Sequence, residues 1–434
     1  MKVQMMVAAA QTALVAAGLG ALQAGAAGIR PEDRVVERFL RYVTIDTHSS
    51  ETSGTLPSTP AQTVFARQLA DELKGLGAKD VFVSEGSFVY VTLPASAGRE
   101  DEPPLGFLAH LDTSSEAPGA NVRPRRVTYA GGVLPLGTSG RSLDPAVFPE
   151  LGRLVGKELI VTDGTTLLGA DDKLGVAILM TLAETLLAKD APSHREIRLC
   201  LTPDEEIGAG LHGFDPVRFG AKTAYTVDGS EVDVVMTANF NAAAATLEFR
   251  GVSVHPGTAK GVMVNALKLA TAFVQDLPAA ESPERTSGRE GFYHPTSLSG
   301  NVAAAKLSLL VRDHDAGRFE ARKRFLKERA DAVNARYGAG TVSLTVKDQY
   351  RNMEEGIGKV PELVEAAKAA LRSEGLEPRL DAIRGGTDGA TLTAMGIPCP
   401  DIGTGGRNFH GECEYAIVEE VEKSFRIVLK LSGM

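Results

Sequence analysis

Tryptophan is absent from the chain, and cysteine occurs only at Cys200, Cys399 and Cys413. Three scattered cysteines cannot build a disulfide framework and show no metal-type pairing, which fits a reducing compartment or a cysteine-indifferent one. Basic residues are also short: 46 Lys and Arg face 55 Asp and Glu, a net charge of −9. That balance argues against nucleic acid as a partner, because phosphate neutralisation needs clustered cations. No stretch is apolar for long enough to span a membrane, so no membrane association is expected. Glycine, by contrast, is plentiful at 46 of 434 residues, which calls for many tight turns or close backbone approaches. The 43% hydrophobic and 23% charged content is that of a globular protein with a large core.

Residues 1–33 read as an N-terminal extension. Within them, the Ala-rich run from Val7 to Ala27 behind Lys2 has three readings: a weak export signal, a disordered extension, or a start codon placed too far upstream. The expected location is cytoplasmic, with export as the alternative if residues 1–28 act as a signal.

Helical spacing begins behind Pro31 and recurs from Pro60 to Leu76, with Phe65, Leu69, Leu73 and Leu76 on one face. Short apolar strands follow at Val81–Val83, Phe88–Leu93 and Leu105–Leu111. A Gly- and Pro-rich excursion then precedes the helix Leu174–Leu187 and strands at Ile197–Leu201 and Thr223–Val227. Strands alternating with helices indicate an α/β sheet covered on both faces. The texture changes near Asn239 into a β-α-β-α-β block that ends near Val346, and the α/β pattern returns at Val360. The expected organisation is a catalytic domain in two parts, 34–238 and 352–434, interrupted by a smaller α+β domain at 239–351.

Several polar clusters are expected at strand ends, where open α/β sheets place their sites. His110 and Asp112 share a side by strand alternation. Asp171 and Asp172 lie where a helix begins, so one is readily a cap and the second is less easily explained. Glu205 and Glu206 follow a strand. In extended backbone they would point in opposite directions, one to a metal and one to substrate. Asp228 ends an apolar strand, and His410 lies in a glycine-rich loop. Singly, each has an ordinary explanation as a turn, a cap or solvated surface. Together, His110, Asp171, Glu206, Asp228 and His410 suit two Zn²⁺ ions sharing a bridging carboxylate and a water, with Mn²⁺ or Co²⁺ as substitutes.

The sequence resembles the peptidase T family, tripeptide aminopeptidases among the co-catalytic zinc enzymes that include aminoacylases and glutamate carboxypeptidases. The resemblance runs from about Arg34 to Ser432. It rests on Pro57-Ser-Thr59, the stretch from His110 to Thr113, Leu168-Gly-Ala-Asp-Asp-Lys173, Asp204-Glu-Glu206 and Thr226-Val-Asp-Gly229. It continues through the stretch from Val254 to Asn265, Gly288 to Tyr293, Ile383-Arg-Gly-Gly-Thr-Asp-Gly389 and Thr404 to Gly411.

The implied fold is a mixed-sheet zinc-peptidase domain with helices on both faces, plus an inserted α+β lid. The implied ligands are His110 and Asp228 on one ion, Glu206 and His410 on the other, and Asp171 between them. Glu205 is implied as general base and Asp112 as the carboxylate that orients His110. Arg312 and Arg384 match substrate-binding arginines, whose guanidinium forks suit a peptide carboxylate. His255 matches a lid histidine that donates to the oxyanion. The partner implied is a short peptide, and a second copy of the chain is a further candidate. The alternatives are an N-acyl amino acid amidohydrolase or carboxypeptidase of the same family, or a non-catalytic peptide-binding protein. Two departures lie near the site: Arg407 stands where the family pattern has Tyr, and Ser230 where Gly is usual.

Overall fold

The computed structural model describes residues 30–434, so most of the expected N-terminal extension lies outside the described residues. Helix α1 (Pro31–Tyr42) opens on a proline, whose missing N–H costs nothing in a first helical turn. Helix α2 (Pro60–Gly75) starts the same way and buries Phe65, Leu69 and Leu73.

The central sheet has eight strands. In chain order they are β1 (Asp80–Val83), β2 (Val89–Leu93), β3 (Leu105–His110), β4 (Ile197–Thr202), β5 (Thr223–Gly229) and β6 (Val234–Asn239), followed after the inserted domain by two more. Strand β3 is buried throughout, as a parallel strand covered on both faces must be. Its neighbouring residues serve different cores. Phe107 and Ala109 pack with α1 and with helix α3 (Ala170–Leu187), while Leu108 packs with Phe214 and Phe219 on the opposite face. Helix α3 is apolar almost all round and is correspondingly buried. It lies so close to the sheet that a Cβ on Gly175 would come 2.0 Å from the carbonyl oxygen of Val227.

From β6 the chain passes directly into a second, four-stranded antiparallel sheet. Its strands are β7 (Asn241–Arg250), β8 (Phe292–Gly300), β9 (Ala304–Asp313) and β10 (Val342–Tyr350), in the order β8-β9-β7-β10. Helices α4 (Ala266–Gln275) and α5 (Ala316–Tyr337) cover one face and bury Phe273, Phe319 and Leu326. The pattern of this block is β-α-β-β-α-β. The sequence pattern missed β8 because Pro295 interrupts it and its second half is exposed, both features of an edge strand.

The chain then re-enters the first sheet with helix α6 (Pro361–Ser373), β11 (Arg379–Ile383), helix α7 (Asp388–Ala394), β12 (Asp401–Gly403) and helix α8 (Val418–Ser432). The final order is β1-β2-β4-β3-β5-β12-β6-β11. Strands β4, β3, β5 and β12 are mutually parallel, whereas β6 runs antiparallel to β12. The glycine-rich excursion before α3 is not wholly irregular: Arg125–Thr128 and Glu158–Val161 pair with each other, and the latter pairs with Tyr415–Ile417.

Candidate metal centre

The four parallel strands end at one edge of the sheet, and the loops leaving them converge there. Strand β3 delivers His110, β4 leads to Asp204-Glu205-Glu206, β5 carries Asp228, and the loop beyond β12 carries His410. Helix α3 begins at the same edge with Asp171.

His110 Nε2 lies 2.8 Å from Asp171 Oδ1 and 3.4 Å from Asp228 Oδ1. His410 Nε2 lies 3.2 Å from Asp171 Oδ2 and 2.9 Å from Glu206 Oε2. The two oxygens of Asp171 thus face different imidazoles, the arrangement a bridging carboxylate needs. Ligand atoms of His110, Asp171 and Glu206 fall within 4.8 Å of one another, as do those of His110, Asp172 and Asp228.

Each group is held from behind. Asp112 is fully buried; its Oδ1 lies 3.3 Å from His110 Nδ1 and accepts the Glu205 N–H at 3.0 Å, and its Oδ2 accepts the Glu206 N–H at 3.2 Å. Asp172 accepts the His110 N–H at 3.1 Å and caps α3 through the Gly175 N–H at 3.0 Å, which separates its role from that of Asp171. Glu414 accepts the N–H groups of Leu168, Gly169 and Asp171 at 2.6, 2.8 and 3.2 Å, fixing the backbone that presents Asp171.

Glu205 and Glu206 are not in extended backbone as the sequence pattern implied. Asp204 adopts φ 55°, and Glu205–Ile207 forms a 3-10 turn. Asp204 is pinned in that left-handed state by Ser58 N–H at 2.6 Å, the Ser58 hydroxyl and Gln62 Nε2 at 2.6 Å. His410 and Asn408 also have positive φ, 66° and 57°. A non-glycine residue in this region is strained, and such strain concentrates at functional sites.

Among the described residues, none of Asp112, Asp171, Asp228, Glu205 and Glu206 forms an ion pair with a lysine or arginine. Burial pushes the carboxyl of Glu205 well up, with Asp228, Asp388 and Glu206 adding repulsion against an opposing effect of His110. Burial, reinforced by Asp171, raises Glu206 to about 7. The carboxylates of Asp171 and Glu206 lift His410 to about 11. One oxygen of Glu206 is buried without a hydrogen-bond partner. Crowded carboxylates with orphaned lone pairs and only nitrogen and oxygen donors suit divalent cations. The residues therefore fit a two-metal centre.

The other sequence candidates lie apart from this cluster. Arg312 donates to the carbonyl of Arg384 at 2.8 Å. Arg384 stacks over Phe240 and Phe292, at 5.2 and 5.6 Å from the ring centroids, and donates to Gly288 O at 2.6 Å and Thr286 Oγ1 at 2.9 Å. His255 sits on an exposed turn, its ring accepting only the Gly257 N–H at 3.1 Å, and is not brought to the cluster. Arg407 faces away from His410. It donates to Ser230 O at 2.9 Å and pairs with Glu420 at 2.7 Å, while the Ser230 hydroxyl donates to Gly406 O. The two departures from the family pattern are therefore neighbours, each side chain bonding to main-chain carbonyls of this loop pair.

Sequence reasoning passed over Glu414 and Asp388. The latter accepts the Thr202 hydroxyl at 2.6 Å, and a Cβ on Gly210 would come 2.1 Å from its other oxygen. The signal for both was available, an acidic residue inside a glycine-rich loop.

Residues 237–341 match a family described as a peptidase dimerisation domain of the M20 group. The chain is 46% identical over 402 residues to peptidase T of Geobacillus sp. (strain WCH70), covering 92% of this chain and 98% of that one. It is 44% identical over 403 residues to peptidase T of Bacillus subtilis (strain 168), again covering 92% and 98%. The fold is shared with aminopeptidase PepT of Bacillus cereus ATCC 10987, with a TM-score of 0.71 at 23% identity over 93% of this chain and 98% of that one. A dinuclear metal-binding peptidase of the M20 family from Bacillus subtilis shares it with a TM-score of 0.62 at 14% identity, over 93% and 98%.

Proposed function

The chain belongs to the peptidase T family of M20 peptidases, and from that membership we propose that the cluster at the sheet edge is the centre of a two-metal tripeptide aminopeptidase. The protein is a peptidase that removes the N-terminal residue of tripeptides. The observation that carries the site assignment is Asp171, whose two oxygens each face a different imidazole. His110 and Asp228 would hold one ion and Glu206 and His410 the other, with Asp171 placed to serve both. Nitrogen and oxygen ligation without cysteine suits zinc in a hydrolytic site. When bound, such a pair polarises the scissile carbonyl and acidifies a water.

The protein's own groups do the rest. Glu205, whose side chain has no hydrogen-bond partner among the described residues, takes the proton of the attacking water and returns it to the departing amine. Asp112 holds His110 and the backbone of Glu205 and Glu206 in one unit. Arg384, with Arg312 beside it, receives the peptide's far carboxylate and so measures peptide length. Residues 239–351 act as a lid whose closure brings His255 to the oxyanion.

The free state of Cys200, Cys399 and Cys413 supports work in the cytoplasm, and the dimerisation-domain match supports a homodimer. The decisive test is a panel of di-, tri- and tetrapeptides, free and N-acetylated, with and without chelator. Chelator-sensitive cleavage of free tripeptides alone is the expected result. Equal cleavage of acetylated substrates would make the enzyme an amidohydrolase, and no cleavage would leave only binding.

A further inference from the structure

The inner face of the lid sheet carries a polar row that ends on an unused hydroxyl. Ala242, on the central strand β7, lies directly opposite Arg312 on β9 and opposite Tyr350 on β10. Residues directly opposite in antiparallel strands project to the same face, so Arg312 and Tyr350 flank Ala242 on one side of the sheet. On the far side of Arg312, Phe292 continues the row and receives the guanidinium over its ring at 5.8 Å.

This row faces the segment of Arg384 to Gly386. Arg312 donates to Arg384 O, and the ring of Tyr350 packs so tightly on Gly386 that a Cβ there would come 2.7 Å from it. Tyr350 is thus brought to the arginine-rich end of the cleft.

The hydroxyl of Tyr350 and the Nε of Arg312 are both buried without a hydrogen-bond partner of good geometry among the described residues, and the hydroxyl lies close beside the Arg312 guanidinium. A buried hydroxyl without a partner costs roughly 1–3 kcal/mol. Two unpaired donors on one face of a sheet, with no acceptor between them, lack an anionic oxygen. Resting on the tripeptidase reading above, we propose that Tyr350 is a substrate-binding residue whose hydroxyl donates, together with Arg312, to the free carboxylate of the peptide. Tyr350 then contributes to selection for short peptides by helping to hold their C-terminal end.

Tyr350→Phe tests this, because it removes one oxygen and keeps the ring on Gly386. Against a free tripeptide, KM should rise about tenfold, roughly 1.4 kcal/mol, with kcat within about twofold. Against the same tripeptide amidated at its C-terminus, the rise should shrink to less than about threefold, since a neutral acceptor gains about half as much as a charged one. The Tm without peptide should not fall, because the hydroxyl closes no hydrogen bond of good geometry that phenylalanine would lose. Wild-type turnover of the free tripeptide reads the function separately from the variant-to-wild-type ratio. An unchanged KM, equal losses on free and amidated peptides, a fall in kcat alone, or a lowered Tm would each overturn the assignment.

Discussion

Replacing Asp112 by Asn changes one atom of a fully buried side chain and strikes the most connected point of the site. Its two oxygens accept the N–H groups of Glu205 and Glu206 at 3.0 and 3.2 Å, and one of them faces His110 Nδ1 at 3.3 Å. Asparagine has a single acceptor oxygen, so one of those N–H groups must meet an NH₂. The surviving bond drops from a charged to a neutral acceptor, a loss of about 1 kcal/mol, and the orphaned buried N–H costs roughly 1–3 kcal/mol more. The expected destabilisation is therefore about 2–4 kcal/mol, read from denaturant unfolding of the metal-loaded protein. Because the amide also presents the wrong polarity to His110, metal affinity or kcat/KM should fall about 10- to 100-fold, the usual effect of disturbing a ligand's support. Metal titration followed by tripeptide kinetics at saturating metal separates the two. If unfolding moves by less than about 0.5 kcal/mol and kcat/KM stays within threefold, Asp112 does not organise the site.

Glu205→Gln should abolish most turnover, by about 10³-fold or more, while two equivalents of metal remain bound; near-normal hydrolysis would remove Glu205 as the base. Chelated protein should lose stability as pH rises. Glu206 and His410 have folded pKa values of about 7 and about 11, above their ordinary 4.5 and 6.5. The stability these groups contribute is therefore complete below the lower values and is lost as pH passes the higher ones. The metal-loaded protein should show the opposite trend between pH 5 and pH 8, because its ligands must be deprotonated. Parallel Tm profiles for the two forms would refute that linkage. Gly175→Ala should destabilise by more than about 3 kcal/mol, since its Cβ would meet Val227 O at 2.0 Å and Asp172 Oδ1 at 2.5 Å. Soluble, stable protein would contradict so close a helix–sheet contact. Arg407→Tyr should leave KM within twofold and lower stability by about 1–3 kcal/mol, the range for a group bound to a carboxylate; a shifted KM would return Arg407 to the substrate cleft.

The parallel core was legible because its strands, such as Leu105–His110, are short apolar runs, and α3 could be read from an unbroken apolar stretch. Strands β6 and β8 were not. The first joins the second sheet without a turn, and the second is an edge strand with a proline and an exposed tail. At the site, residue type and placement at strand ends brought out His110, Asp171, Glu206, Asp228 and His410. What no linear pattern reveals is direction. The 3-10 turn at Glu205 depends on Asp204 being pinned by Ser58 and Gln62, far away in sequence. The isolation of Arg407 from the cleft likewise depends on Glu420 and Ser230. Tyr350 escaped notice because its significance lies in strand register, which the residues of β10 alone do not disclose.

The proposed ligands His110 and His410 stand 300 positions apart, at either end of the chain that forms the cleft. During synthesis at about 5–20 residues per second, roughly 15–60 s separate their appearance. From the appearance of Asp228 until that of His410, the ribosome-bound chain carries His110, Asp171, Glu206 and Asp228 without the second imidazole of the cluster. A chain that stops short of the loop after β12 lacks His410 and also the C-terminal helix that buries Val421, Phe425 and Val428 in the main core. If His410 is a ligand as proposed, assembly of the cluster and closure of the main core both wait on the last part of the polypeptide.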